Sequence, residues 1–300
     1  MKKKTYLFAL MAMVLTLGSC SDNENGIGGE TSKYITVSTS IGNMTRVATD
    51  AKGGQTFEEG DEISVYAWTG DATVAPETRE RVVNNAINKL TNGSWVSTPQ
   101  MLWKNNRDKH YFIGVYPTAA ISDLSAGEYT FDVNKQTESD LLVAVNKDGL
   151  SYNVDEQQTV PLTFTHVMAK LVVNLTYKNQ WGGIPTVEKV VVGNAAKEAT
   201  INYLTKVVTP STTAKEDFSL PEITENTKYV SVIIPQEEVT QLTIVIGGKN
   251  FVYDNGTPFK LESGKITTVN LEVGRDEIKL GDVKITNWED GSTFSGEALN

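Results

Sequence analysis

Cys20, the single cysteine of the chain, closes the run Leu17-Gly18-Ser19-Cys20. Small residues immediately before a cysteine admit a signal peptidase, and the Cys20 thiol then becomes the attachment point of a thioether-linked lipid. Lys2, Lys3 and Lys4 supply a positive start and residues 6–17 an apolar core. That core is shorter than the roughly 20 apolar residues that a membrane-spanning helix needs. The expectation is a lipoprotein signal peptide over 1–19 and a lipidated Cys20. With one cysteine no internal disulfide forms, although an exported chain would permit one.

Other reactive side chains are few. The two histidines, His110 and His166, sit within strand-like runs, where a hydrogen-bonded structural role is expected. Zinc-ligand spacing, a phosphate-binding glycine loop and a G-x-S-x-G elbow are all missing. The chain is therefore expected to be no enzyme and to need no cofactor or metal. Acidic clusters at Glu58-Glu59-Gly60-Asp61-Glu62 and Glu289-Asp290-Gly291 lack calcium-loop spacing and read as solvated turns. Trp68, Trp95, Trp103, Trp181 and Trp288 offer either a sugar-binding platform or core packing.

The precursor carries 27 basic and 37 acidic residues; loss of 1–19 removes three lysines and no acid, leaving 24 against 37 and a net charge of −13. Such a surface repels nucleic acid and anionic lipid. At 300 residues, 39% of them hydrophobic, the chain can build two domains of ordinary size.

The elements that must position these groups read as strands. Residues 20–33 are polar and Gly-rich and form a tether. Residues 34–41 alternate, with Ile35, Val37, Thr39 and Ile41 on one face. Asn92-Gly93 and Gly247-Gly248 mark hairpins. Residues 201–208 read as one strand. Near Pro161 the buried parity switches: Leu162 and Phe164 are even, while Val167, Ala169, Leu171, Val173 and Leu175 are odd. A period-two strand can do this through a bulge or by leaving one sandwich for another, so the domain boundary is placed there. Helices are expected to be few and short. The result is an all-β chain of two tandem sandwiches, 34–160 and 161–281, followed by a tail over 282–300.

The order of these features resembles the fimbrillin family, the type V pilins and their Mfa-like relatives. It is carried by the lipobox, the 34–41 strand with Thr45-Arg46, Phe57-Glu58-Glu59-Gly60-Asp61-Glu62-Ile63, the 160–171 run through Phe164-Thr165-His166, Gly264-Lys265-Ile266-Thr267, and Ile285-Thr286-Asn287-Trp288. The resemblance implies transthyretin-like sandwiches, export as a lipoprotein of the outer membrane, and assembly with other fimbrial subunits for adhesion. It further implies proteolysis after the first strand, here at Arg46-Val47, with Lys52 and Arg79 as other basic sites in nearby loops. The groove so opened would take a C-terminal donor strand from a neighbour, with Val283, Ile285, Trp288 and Phe294 as the apolar donors. The alternative is a non-polymerising surface lipoprotein that binds a glycan or host protein through exposed aromatics.

Overall fold

A computed structural model describes residues 33–42, 56–156 and 158–288. Cys20, Arg46, Val47 and Phe294 lie outside these described residues, as does the Glu289-Asp290-Gly291 cluster. In the first half the strands are β1 (Thr36–Ile41), β2 (Glu62–Thr69), β3 (Arg81–Thr91), β4 (Ser94–Thr98), β5 (His110–Tyr116), β6 (Gly127–Thr130), β7 (Leu142–Leu150) and β8 (Thr159–His166). The second half carries β9 (Ala169–Tyr177), β10 (Val187–Ala196), β11 (Glu198–Asn202), β12 (Val207–Pro210), β13 (Lys215–Ser219), β14 (Glu222–Thr224), β15 (Lys228–Ile233), β16 (Gln236–Ile246), β17 (Lys249–Leu261), β18 (Lys265–Val273) and β19 (Ile278–Asn287). One four-residue helix, α1 (Gln136–Ser139), separates β6 from β7. Among the described residues no helix is long and apolar enough to cross a membrane.

Four sheets result. Seven first-half strands form one in the order β1-β8-β7-β5-β2-β3-β4. Second-half strands form β13-β10-β16-β17 and β14-β15-β9-β18-β19. The fourth sheet, β12-β11-β6, takes β6 from the first half and the other two strands from the second. Turn chemistry places the hairpins where local sequence demands: Asn92 and Gly93 at φ 51° and 73°, and Gly247 and Gly248 at 58° and 72°, are the paired positive φ values of a two-residue hairpin.

β2 shows why the seven-stranded sheet reads as a continuous apolar run. Residues 63–68 are all buried, because both faces are covered. Tyr66 and Trp68 join a core shared with the second half, through Val190, Leu242 and Val269 among others. Ile63, Val65 and Ala67 point into a separate core inside the curled sheet, with Phe112, Leu162 and Phe164.

The chain changes sheet between His166, the last residue of β8, and Ala169, the first of β9. The sequence boundary between 160 and 161 therefore falls within β8, and the 282–300 tail starts partway along β19. The halves are joined by more than the connector. β6 pairs with β11 from Thr130↔Glu198 to Gly127↔Ile201. Phe131 meets Phe218 edge-on at 5.0 Å, and Gln136 reaches β15, where its Oε1 accepts from Val232 N–H at 2.6 Å. The strand expected over 201–208 is instead two strands around a turn. Lys206 takes φ 64° and its N–H bonds back to Asn202 O at 2.7 Å, letting Tyr203 and Leu204 turn inward to 2% and 4% exposure. Burial of two large side chains outweighs continuation of a short ladder.

Candidate functional site

The acidic run before β2 is consumed by a turn. Asp61 Oδ2 accepts from Glu58 N–H at 2.7 Å, Glu59 Oε1 from Asn92 N–H at 2.8 Å, and Glu62 pairs with Lys89 at 3.0 Å. Gly60, at φ 97°, donates to Leu90 O while Leu90 donates back to Asp61 O, so the motif pins the β3–β4 hairpin beside the start of β2. Among the described residues no group of three or more His, Cys, Asp or Glu side chains is arranged to hold a metal. His110 is fully buried: Nε2 accepts from Lys104 N–H at 2.9 Å and Nδ1 lies 3.1 Å from Asp108 O. Burial lowers its pKa, so it is a neutral structural histidine. The five tryptophans form no exposed platform. Trp68, Trp103 and Trp288 are buried, and Trp95 and Trp181 are half-buried against core residues.

The seat of β1 is the first distinctive feature. β1 occupies one edge of the seven-stranded sheet, parallel to β8, in register from Thr36↔Thr159 to Ile41↔Phe164. On its other side Ile35 N–H donates to Met101 O at 3.0 Å, Trp103 N–H to Lys33 O at 3.2 Å, and Trp95 Nε1–H to Thr39 Oγ1 at 3.0 Å. The strand thus closes the curled sheet from one border to the other. Ile35 and Val37 are 2% and 6% exposed on its inward face. At about 1.5–3 kcal/mol each, their burial contributes on the order of 3–6 kcal/mol to keeping β1 in place. The floor beneath is Val160, Leu162 and Phe164 from β8, with Phe112 beside them. Phe164 lies so close over Gly114 that a Cβ there would sit 2.6 Å from its ring. Phe57 closes the far end, edge-on to Trp95, Tyr116 and Phe164 at 5.1–5.4 Å.

The second feature is the other end of the chain. β19 pairs antiparallel with β18, and among the described residues its outer edge pairs with no strand. Gly281 is the extra residue of a bulge, since Asn270 faces Asp282 while Leu271 faces Leu280. Val283 and Ile285 stand opposite Val269 and Thr267 yet are 36% and 40% exposed. Trp288 differs: it is 7% exposed and stacked on His166. The structure therefore places Val283 and Ile285 together on an open strand and separates Trp288 from them.

Two residues around the Trp288–His166 stack carried no assigned role in the sequence reading: Lys170, beside the Trp288 ring, and Asp140, bonded to His166. Asp140 lies in a connector with no periodicity to mark it. Lys170 did leave a signal, a single charge inside the apolar run Ala169-Lys170-Leu171-Val172-Val173. Burial pushes the Lys170 ammonium down to about 8, Asp140 pulling it up and Lys228 pushing it further down. Burial also pushes the Tyr116 and Tyr203 hydroxyls up to about 12.

These shifts set an alkaline stability profile. Between about pH 8 and 10 the unfolded chain keeps the lysine proton that folded Lys170 has lost, so stability rises with pH by about 1–2 kcal/mol. Lys206, lowered likewise by burial, adds to this limb. Above the ordinary tyrosine value of 10.0 the unfolded phenols ionise while Tyr116 and Tyr203 stay protonated in the fold, and stability falls. Urea midpoints measured from pH 7 to 11.5 should pass through a maximum, and Lys170→Met should flatten the rising limb while leaving the fall.

A β-sandwich of several sheets with an edge strand at each end of its described chain is the class that this fold and these seats define. The chain belongs to the fimbrillin-like family, whose model matches residues 45–288. That family comprises structural fimbrial and cell adhesion subunits rather than enzymes. A relative from Bacteroides uniformis, named as the candidate fimbrium subunit Fim1C, is 24% identical over 315 aligned positions covering 97% of each chain. The crystal structure of a candidate cell adhesion protein from Bacteroides uniformis superposes with a TM-score of 0.64 at 20% identity, covering 86% of this chain and 100% of that one. A counterpart from Bacteroides ovatus gives 0.61 at 18% identity, covering 85% and 98%. These two likenesses carry the fold.

Proposed function

We propose that the chain is a structural or anchor subunit of a fimbrium on the outer membrane, exported as a lipoprotein through Cys20 and polymerised by strand exchange after a cut at Arg46-Val47. Adhesion is the outcome. The observation that carries this reading is the seat of β1. A single edge strand, followed directly by the segment that contains Arg46-Val47, pairs with β8 along its length, is tied through the preceding residues 33–35 to the 101–103 loop, and is floored by Val160, Leu162 and Phe164. Its loss would leave unpaired N–H and C=O groups and an apolar floor, which a strand from another copy can satisfy. The family match begins at residue 45 and leaves β1 outside. At the opposite end β19 offers Val283 and Ile285 on a half-exposed strand, with Trp288 and Phe294 beyond them as further donors. Binding of glycan through exposed tryptophan faces has less support, since each of those rings is at least half-buried.

The test is the N-terminus of subunits taken from cells. Assembled copies should begin at Val47, and Arg46→Ala cells should retain β1 on the subunit and show no ladder of oligomers on unheated gels. Fibres in which every copy begins at lipidated Cys20 would overturn the shaft role.

A further inference from the structure

The strand that the proposed exchange would hand to a neighbour is held along its length by its backbone ladder with β18, but over its last seven residues by no buried side chain. From Gly281 to Asn287 every residue of β19 is exposed, Val283 and Ile285 included. The next residue, Trp288, is 7% exposed. Its indole lies flat on the His166 imidazole, ring centres 4.1 Å apart and planes 3° from parallel. His166 Nδ1 is in turn 2.8 Å from Asp140 Oδ1. Lys170 Nζ stands 5.5 Å from the indole centre, and Trp288 N–H donates to Gly264 O at 3.1 Å. The seat is thus built from both halves: Asp140 precedes β7, His166 ends β8, Lys170 belongs to β9, and Gly264 lies just before β18. Among the described residues the buried indole Nε1–H has no hydrogen-bond partner, so stacking and burial hold the ring and not its polar edge.

We propose that the Trp288 seat is a latch, an intramolecular contact that keeps β19 on its own subunit and thereby withholds the strand from other copies until the indole leaves. Beyond its ladder with β18 and the partly buried Ile278 and Leu280 at its start, the bulged edge strand has only this seat to anchor its far end. Opening costs the indole its stack on His166 and exposes the Asp140–His166 pair to water, while the ladder of β9 with β18 behind it is untouched. The partner reading rests on the strand exchange proposed above; the latch itself is a property of the single chain and is tested there.

The experiment is hydrogen exchange on the full, unassembled chain. In Trp288→Ala the amides of 278–287 should exchange at least tenfold faster than in the parent, while those of β5, β9 and β16 stay within twofold. Trp288→Phe keeps a ring on His166 and removes the unpartnered N–H, so it should restore protection to the parent level. Val283→Ser should change protection far less than Trp288→Ala. Exchange in β19 within threefold of the parent in Trp288→Ala, or a loss of protection spread evenly over the molecule, would overturn the latch. Oligomer formation by the same variants is read separately. Faster opening with no gain in assembly leaves the latch standing and counts against the exchange reading.

Discussion

Val37→Asp lowers the stability of the untrimmed chain by roughly 3–5 kcal/mol and leaves the trimmed subunit unchanged. The first effect follows from position. Val37 is 6% exposed in the core inside the curled sheet, in register with Val160 and clustered with apolar side chains. An uncompensated buried charge costs about that much, or else forces the strand out of its seat. The second effect follows from order along the chain: if residues before Val47 are removed in maturation, the substituted strand is no longer part of the molecule. Denaturant unfolding of both forms measures it. An equal loss in both forms would mean that β1 stays after the cut, and the exchange reading would fall with it.

Phe164→Ala should cost roughly 3–5 kcal/mol in both forms, the usual range for removing a buried phenylalanine ring from a packed core. Phe164 is fully buried, lies on Gly114, meets Phe57 at 5.1 Å and pairs in register with Ile41. It belongs to the floor and not to β1, the strand that the proposed cut would remove, so trimming cannot relieve the loss. The cavity would also remove apolar surface that a replacement strand needs, and oligomers of Phe164→Ala should dissociate at lower temperature than those of the parent. Comparing Val37→Asp with Phe164→Ala in the two forms separates the plug from its socket.

What could be read along the chain was whatever depends on neighbours in sequence. Alternation over 34–41 reports one inward face, and Ile35 and Val37 are buried on it. Asn92-Gly93 and Gly247-Gly248 adopt the positive φ values for which their residue types are suited. The parity switch between Phe164 and Val167 coincides with the passage from β8 to β9. The run 201–208 misled because Tyr203 and Leu204 satisfy a strand pattern as well as they satisfy an inward turn.

Pairings between distant edges left no such mark. Nothing in residues 36–41 announces a parallel partner at 159–164, and nothing in 127–130 announces β11 from the other half. Trp288 read as one apolar donor among four, because composition cannot say that His166 waits opposite it.

The amino-acid sequence alone determined the all-β class, the hairpins, the inward face of the first strand and the net acidic charge. Each of these rests on side-chain period, turn conformation or charge, which act over a few residues. The tertiary structure decided which edges meet: β1 against both borders of the curled sheet, β6 across the halves, and Trp288 on His166. Such pairings are chosen by shape and burial between segments far apart along the chain, a selection that local periodicity does not encode.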